Sequence, residues 1–217
     1  MILMGVLLAF LPVPAAMTLH GVTQLASNGS RAWLWRRDID WRAFRGYALG
    51  AVLAFAGFAA AQTVVSKPVA FIALGIMPFL ALALPKRVQL DAGRRGHAFA
   101  CGALCSAASL TAGVSGPILD VFFASSPLGR QAVVATKAAS QSVSHLLKIV
   151  YFGSVLAGWG DAHPWTAFTM VVLAVAGTQL SRPVLERMGD DSFRFWSRWT
   201  VIGTAVFYLG SGISLWL

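Results

Sequence analysis

Apolar runs separated by short polar segments dominate the chain and predict an all-α, polytopic integral membrane protein. About 20 consecutive apolar residues cross a bilayer as one helix. Spanning helices are therefore predicted at about 14–34, 46–65, 69–85, 129–155, 164–181 and 199–217. Residues 97–129 are also apolar, but Thr111–Pro117 interrupts them with Gly and Pro, so a broken or re-entrant segment is expected there. Met1–Leu11 is too short to span and is predicted as a partial or re-entrant helix.

Two of these helices each carry a stripe of polar side chains. Both stripes use the spacing i, i+4, i+8 and i+11, which keeps four side chains on one face of a helix. Polar side chains inside a membrane helix are costly and usually face a cavity or a polar partner. The stripes therefore predict a binding site, the alternative being polar contacts that only hold helices together. Their members are His20, Gln24, Asn28 and Arg31 in the first stripe, and Lys137, Gln141, His145 and Lys148 in the second.

The two stripes are 117 positions apart, and Gln62 and Gln179 repeat that separation. This predicts two homologous transmembrane repeats. Basic residues cluster in three places, and basic loops usually lie on the cytoplasmic side. For all three to be cytoplasmic, the broken segment must enter and return on one side, which inverts the second repeat relative to the first. The first repeat is N-terminally short, because nothing in it corresponds to residues 97–116. The predicted repeats are residues 1–93 and 94–217, and the basic clusters are 31–45, 86–95 and 182–198.

Composition and charge agree with a membrane protein. The chain has 217 residues, of which 57% are hydrophobic and 12% are charged, too apolar for a soluble domain of this size. A net charge of +9 is also typical of proteins that bind nucleic acid. The basic residues, however, lie between apolar runs and form no basic surface interleaved with aromatic residues, so no nucleic-acid binding is expected. Cys101 and Cys105 are expected to pack as small apolar residues rather than to form a disulfide or a metal site.

The interruption before Pro117 predicts an anion site. Pro117 suits the first turn of a new helix, with Ser115 or Gly116 near its cap. Such a helix N-terminus presents free N–H groups and a partial positive charge. The alternative is a simple kink. Asp120 is expected to cap this helix, to pair with Lys137 or to carry a proton, and Lys137 is expected either to pair with Asp120 or to face the anion.

An interior lined with cations, amides and hydroxyls favours a small anion that is hydrogen-bonded on all sides. The imidazole group has an unperturbed pKa near neutral pH, which makes His20 and His145 candidates for proton coupling, although each is at least as well explained as a satisfied hydrogen-bonding group. The sequence contains no phosphate-binding loop, no His-Glu-x-x-His and no Gly-x-Ser-x-Gly. No enzyme activity, no cofactor and no metal site are therefore expected.

Three groups of residues carry a family resemblance: Gln24, Asn28 and Arg31; Gly116–Asp120; and Val134–Gln141 leading to His145 and Lys148. Together they resemble the sulfite exporter TauE/SafE family, and the resemblance covers nearly the whole chain. It implies a multi-pass inner-membrane transporter of sulfur-containing anions such as sulfite, sulfoacetate or thiosulfate. Thr136, inside one of the motifs, joins the expected substrate-binding residues. The sequence departs from the family in its first half, which lacks the Gly-rich broken helix.

The leading hypothesis is a secondary transporter that moves a small oxyanion outward by alternating access of two repeats. The alternative is a non-transport membrane scaffold or assembly protein, whose intramembrane polar residues are structural. A membrane enzyme is a third interpretation that no motif supports. The expected partners are the anion and the lipid bilayer of a bacterial inner membrane. The sequence is also compatible with a homodimer.

Overall fold

The computed structural model describes residues 1–83, 91–124, 126–156, 164–187 and 190–217. Their regular structure is helical and includes no strand, which confirms the all-α prediction. A π-helical segment, Val150–Val155, continues α7. The α-helices are α1 (Ile2–Phe10), α2 (Val13–Leu34), α3 (Trp41–Ala61), α4 (Lys67–Ala83), α5 (Arg95–Thr111), α6 (Gly116–Ala124), α7 (Arg130–Ile149), α8 (Pro164–Arg187) and α9 (Asp190–Ser214).

The chain begins with a short helix followed by a long one, as the sequence predicts. Pro12 immediately precedes α2, a position where its missing N–H leaves no helical hydrogen bond unmade. The short helix α1 is part of the core, because Met4 and Leu8 are fully buried and belong to one apolar cluster with Met17 of α2 and Tyr208 of α9. This packing fixes α1 beside the first polar-striped helix.

Helices α3 and α5 approach each other to backbone contact. A Cβ atom on Gly50 would overlap the carbonyl oxygen of Phe99, and one on Gly102 would overlap that of Tyr47. Glycine is therefore required at both positions, as is common where membrane helices pack closely. The same packing directs the Tyr47 side chain to α7, where its hydroxyl is 2.7 Å from Ser144 Oγ.

Helices α5 and α6 form a hairpin around a break in the helical structure. The interruption predicted at Thr111–Pro117 is present, because α5 ends at Thr111 and α6 begins at Gly116. The backbone N–H of Ala92 donates to the carbonyl oxygen of Phe122 at 3.0 Å. The end of α6 therefore returns to the start of α5. The chain therefore turns back in the broken segment, between α5 and α6.

The basic segments are more helical than predicted. The expected loop at 182–198 is wrong, because α8 extends to Arg187 and α9 begins at Asp190. Similarly, Arg31 lies in the last turn of α2 and Arg42 in the first turn of α3. Arginine is a good helix former and is stabilised near a helix C-terminus, so charge here marks helix ends as well as loops. Lys86 and Arg87, which belong to the predicted basic cluster at 86–95, lie outside the described residues.

Among the described helices, α3 is the one that is both long and apolar enough to cross a membrane by length and composition. Shorter apolar stretches occupy Lys67–Leu80 of α4, Pro164–Leu180 of α8 and Trp199–Ser214 of α9. Helices α2 and α7 have comparable length, but they carry the polar stripes. Large apolar side chains are exposed on the outer faces of α8 and α9, for example Phe168 and Phe207.

Candidate functional site

Helices α2 and α7 pack against each other in opposite directions. A Cβ atom on Gly21 would lie 2.8 Å from Ile149 Cγ1, and one on Gly29 would lie 4.0 Å from Ser142 Oγ. Residue numbers therefore increase along α2 in the direction in which they decrease along α7, so the two helices are antiparallel. This register brings the beginning of the first polar stripe beside the end of the second.

Lys148 lies in this contact and is fully buried. Its Nζ is 2.8 Å from His20 Nδ1 of α2 and donates to the carbonyl oxygen of Gly113, in the helix break, at 2.9 Å. An ammonium group has three donors, and these contacts use two of them. In the described part of the chain no carboxylate pairs with Lys148. Because a buried charge without a counter-charge is costly, the arrangement suits an anion that takes up the remaining donor and balances the charge.

The helices around Lys148 carry polar atoms with unused hydrogen-bonding capacity. The rings of His20 and His145 meet edge to face, with their centroids 5.8 Å apart, and both residues are buried. An unpaired buried donor or acceptor costs about 1–3 kcal/mol. A polar ligand between these helices would lower that cost. Buried side-chain atoms without a hydrogen-bond partner among the described residues are His20 Nε2, His145 Nδ1, Ser106 Oγ, Ser109 Oγ, Ser115 Oγ and Ser140 Oγ.

The break between α5 and α6 brings backbone groups to the same contact. Gly113 has a φ of +79°, and a Cβ atom there would lie 2.6 Å from the Met4 sulfur, so both conformation and space require glycine. Ser115 is buried directly before α6, whose first N–H groups favour an anion. A Cβ atom on Gly116 would lie 3.9 Å from Gln141 Nε2. The amide of Gln141 therefore approaches the start of α6.

Lys137 lies eleven residues before Lys148 on the same helix and pairs with Asp120 of α6. The two side chains are 29% and 62% exposed, respectively. Pairing with Asp120 was one of the two expectations for Lys137. The ion pair gives Lys137 a counter-charge at the surface of the described residues, in contrast to Lys148.

The other predicted residues are distributed over different surroundings. Gln24 and Arg31 line a cleft between α2 and α8. Asn28 is buried. Thr136 is also buried, and its hydroxyl accepts a hydrogen bond from the backbone N–H of Asp40 at 2.9 Å, which joins α7 to the start of α3. The structure therefore brings His20, His145 and Lys148 together, but it does not gather all twelve predicted residues into one group.

The sequence analysis missed three features of this region. They are the carbonyl oxygen of Gly113, the contact between Tyr47 and Ser144, and the buried hydroxyls of Ser106 and Ser109. The two serines on α5 are three residues apart, which places them on one helical face and is the available signal for them. The position of a backbone carbonyl cannot be predicted from residue types, apart from a glycine that permits the local backbone geometry. The described residues hold no cluster of His, Cys, Asp or Glu suited to a metal ion.

Comparison with known proteins agrees with the motifs. No curated protein and no solved structure matches this chain. A comparison with protein families matches residues 1–208 to the family described as Sulfite exporter TauE/SafE. The matched range includes both polar stripes and the helix break. The chain therefore belongs to the sulfite exporter TauE/SafE family, whose general function is the transport of sulfite and related anions across a membrane.

Proposed function

We propose that this protein is a multi-pass secondary transporter of the bacterial inner membrane that exports a small sulfur-containing oxyanion of the sulfite, sulfoacetate or thiosulfate class. The observation that carries the proposal is buried Lys148, which contacts His20 and the Gly113 carbonyl without a carboxylate partner in the described residues. An oxyanion supplies the negative charge and the acceptors that this group lacks. Family membership favours a sulfur-containing anion, whereas the buried lysine supports only a negatively charged ligand.

In the proposed bound state, the anion accepts a charge-assisted hydrogen bond from Lys148 Nζ, the stronger kind of hydrogen bond. His20 accepts from Lys148 at Nδ1 and therefore carries its own proton on Nε2, which makes Nε2 a second donor. The Ser115 hydroxyl, the first N–H groups of α6 and the Gln141 amide are further donors near the break. This set of donors suits a compact anion with several oxygens.

Alternating access of two inverted repeats completes the proposal. Helices α2 and α7 begin 117 positions apart, the same separation as the two stripes, and they run antiparallel. A two-fold axis that exchanges positions 117 apart would map the pair His20 and Lys148 onto the pair Lys137 and Arg31. The observed antiparallel register is the one that such an axis requires, and it supports a site between the repeats. The proposed repeats are residues 1–93 and 94–217.

Anion flux in proteoliposomes tests the transport function. Purified protein is reconstituted, and the uptake of labelled sulfite, thiosulfate, sulfoacetate and sulfate is compared with that of protein-free vesicles. We expect saturable flux of at least one of the first three anions, and weaker flux of sulfate. Folded, inserted protein that moves none of them would contradict transport and favour a structural membrane protein.

Cysteine accessibility tests the multi-pass arrangement in the first repeat. Gln62, between α3 and α4, and Arg94, directly before α5, are both exposed and suit labelling. Cys101 and Cys105 are buried and are first replaced by Ala. We expect Gln62→Cys to react with an impermeant reagent from outside the cell, and Arg94→Cys to react after permeabilisation only. Reaction of both from the same side would contradict the single crossing by α4 that the arrangement places between them.

A further inference from the structure

The cleft between α2 and α8 differs in character from the region around Lys148. Its volume is about 440 Å³. Its polar lining includes Gln24, Ser27 and Arg31 of α2, and its apolar lining includes Met170 and Leu173 of α8 together with Leu3 of α1. Ser27 Oγ and Thr178 Oγ1 are 2.9 Å apart and join the two helices across it. The cleft therefore has polar and apolar walls within one site.

Arg31 is positioned to meet an anionic group at the membrane surface. It lies in the last turn of α2, and the exposed Arg36 and Arg37 follow the helix, which indicates the cytoplasmic side. The guanidinium of Arg31 makes no ion pair or hydrogen bond with another described residue. Gln24 lies seven residues earlier, which is about 10 Å deeper along the helix axis. A ligand that meets both would extend from the surface into the bilayer.

The apolar part of the cleft opens onto a surface suited to hydrocarbon. Leu173 is 65% exposed, and its neighbours Phe168, Val172 and Leu180 on α8 are also exposed. An exposed apolar patch of this kind on a membrane helix faces lipid tails. A small oxyanion needs donors on all sides, which this cleft does not provide. An amphiphile with an anionic head and an apolar tail fits both of its walls.

We propose that this cleft binds one anionic phospholipid of the cytoplasmic leaflet, with its phosphate on Arg31 and an acyl chain along Leu3, Met170 and Leu173. The site assigns Arg31 and Gln24 to lipid rather than to the exported anion. The inference requires a membrane location only, so it does not depend on which anion is transported or on alternating access.

Thermal unfolding of the purified protein in detergent tests the proposal. The midpoint is measured while phosphatidylglycerol, phosphatidylcholine, glycerol phosphate or sulfate is added. We expect phosphatidylglycerol to raise the unfolding temperature at the lowest concentration. Arg31→Gln should raise the phosphatidylglycerol concentration needed about fivefold, which is the effect of one basic contact with an anionic lipid. The control Arg45→Gln removes an exposed arginine of α3 that does not line the cleft, and should leave that concentration unchanged.

Three outcomes would overturn the lipid site. Equal stabilisation by phosphatidylcholine would remove the role of the anionic head. Equal stabilisation by glycerol phosphate or sulfate would indicate a free-anion site instead. An equal effect of Arg31→Gln and Arg45→Gln would indicate non-specific attraction to charged lipid. If Arg31→Gln fails to fold, the comparison of the four additives on the unaltered protein still decides between these results.

Discussion

Two lysines on the same face of α7 have opposite surroundings. Lys137 is partly exposed and pairs with Asp120, whereas Lys148 is fully buried and contacts only neutral partners, His20 and the carbonyl of Gly113, among the described residues. A partly exposed ion pair balances its own charge. A buried lysine without a carboxylate does not. Lys137 therefore has a charged partner within the protein, and the absence of one for Lys148 among the described residues supports the proposal that Lys148 meets the anion.

The difference also shows what a repeat can and cannot reveal. The 117-residue separation relates Lys148 to Arg31 and Lys137 to His20 as equivalent positions. Equivalent positions need not have equivalent neighbours. The helix break beside Lys148 is formed by α5 and α6, and the described residues place no matching hairpin before α2. Lys137 and Lys148, at the two ends of the stripe on α7, therefore contact different groups, although the four residues of the stripe are regularly spaced.

The largest effect is expected from Lys148→Met, which removes the buried charge and keeps much of the side-chain volume. Loss of a hydrogen bond to a charged group costs about 1.5–3 kcal/mol, so anion flux should fall about 10- to 150-fold. Insertion should persist, because removal of a cation also relieves an insertion cost of about 2.5–3.5 kcal/mol. The measurement is initial flux in proteoliposomes, normalised to the amount of folded protein. Flux at the unaltered level would exclude Lys148 from the anion site.

A second, smaller effect separates the contact of Lys148 with His20 from general packing. His20→Leu removes the acceptor at 2.8 Å and should lower the free energy of unfolding by about 1–3 kcal/mol. His20→Gln keeps an acceptor oxygen and should restore part of the loss. The unfolding temperature of each variant is measured in the same detergent.

The matched control for His20 is the same substitution in a Lys148→Met background. If the hydrogen bond between the two residues matters, His20→Leu should cost clearly less when the lysine is already absent. Equal costs in both backgrounds would mean that His20 contributes by packing alone, and would separate it from Lys148 in the proposed site.

Much of the fold follows from local sequence signals. Pro12 and the apolar run after it predict a helix at 14–34, and α2 is Val13–Leu34. Gly and Pro predict the interruption that the structure has at 112–115. The ends of α8 and α9 were predicted less well, because the same charged residues that mark a cytoplasmic segment are also compatible with a helix. Local patterns therefore predict where helices break more reliably than where charged helices end.

The candidate site was predicted only in part, because some of its contacts depend on how distant helices pack against each other. The polar stripe predicts which side chains of α7 face inward, and His145 and Lys148 are buried as expected. The contact between Lys148 and Gly113 depends on how a hairpin packs against a distant helix, and no spacing within one helix contains that information. The location of Gln24 in the cleft with α8 also depends on tertiary packing, since a helical face of about 80° borders two neighbouring helices.

The smallest effect is expected from Lys137→Met, which completes the comparison of the two lysines. A partly exposed ion pair contributes about 0–1 kcal/mol, so loss of the pair with Asp120 should change stability by no more than that. Flux should remain within about twofold of the unaltered protein, and Lys137→Arg, which keeps the charge, should be indistinguishable from it. Asp120→Asn removes the other partner and should match Lys137→Met in both stability and flux if the pair is structural. Expression, unfolding temperature and flux are measured for all three variants beside Lys148→Met. A loss of flux in Lys137→Met as large as that in Lys148→Met, with Asp120→Asn unaffected, would show that Lys137 serves the anion and would move the site along α7 toward α6.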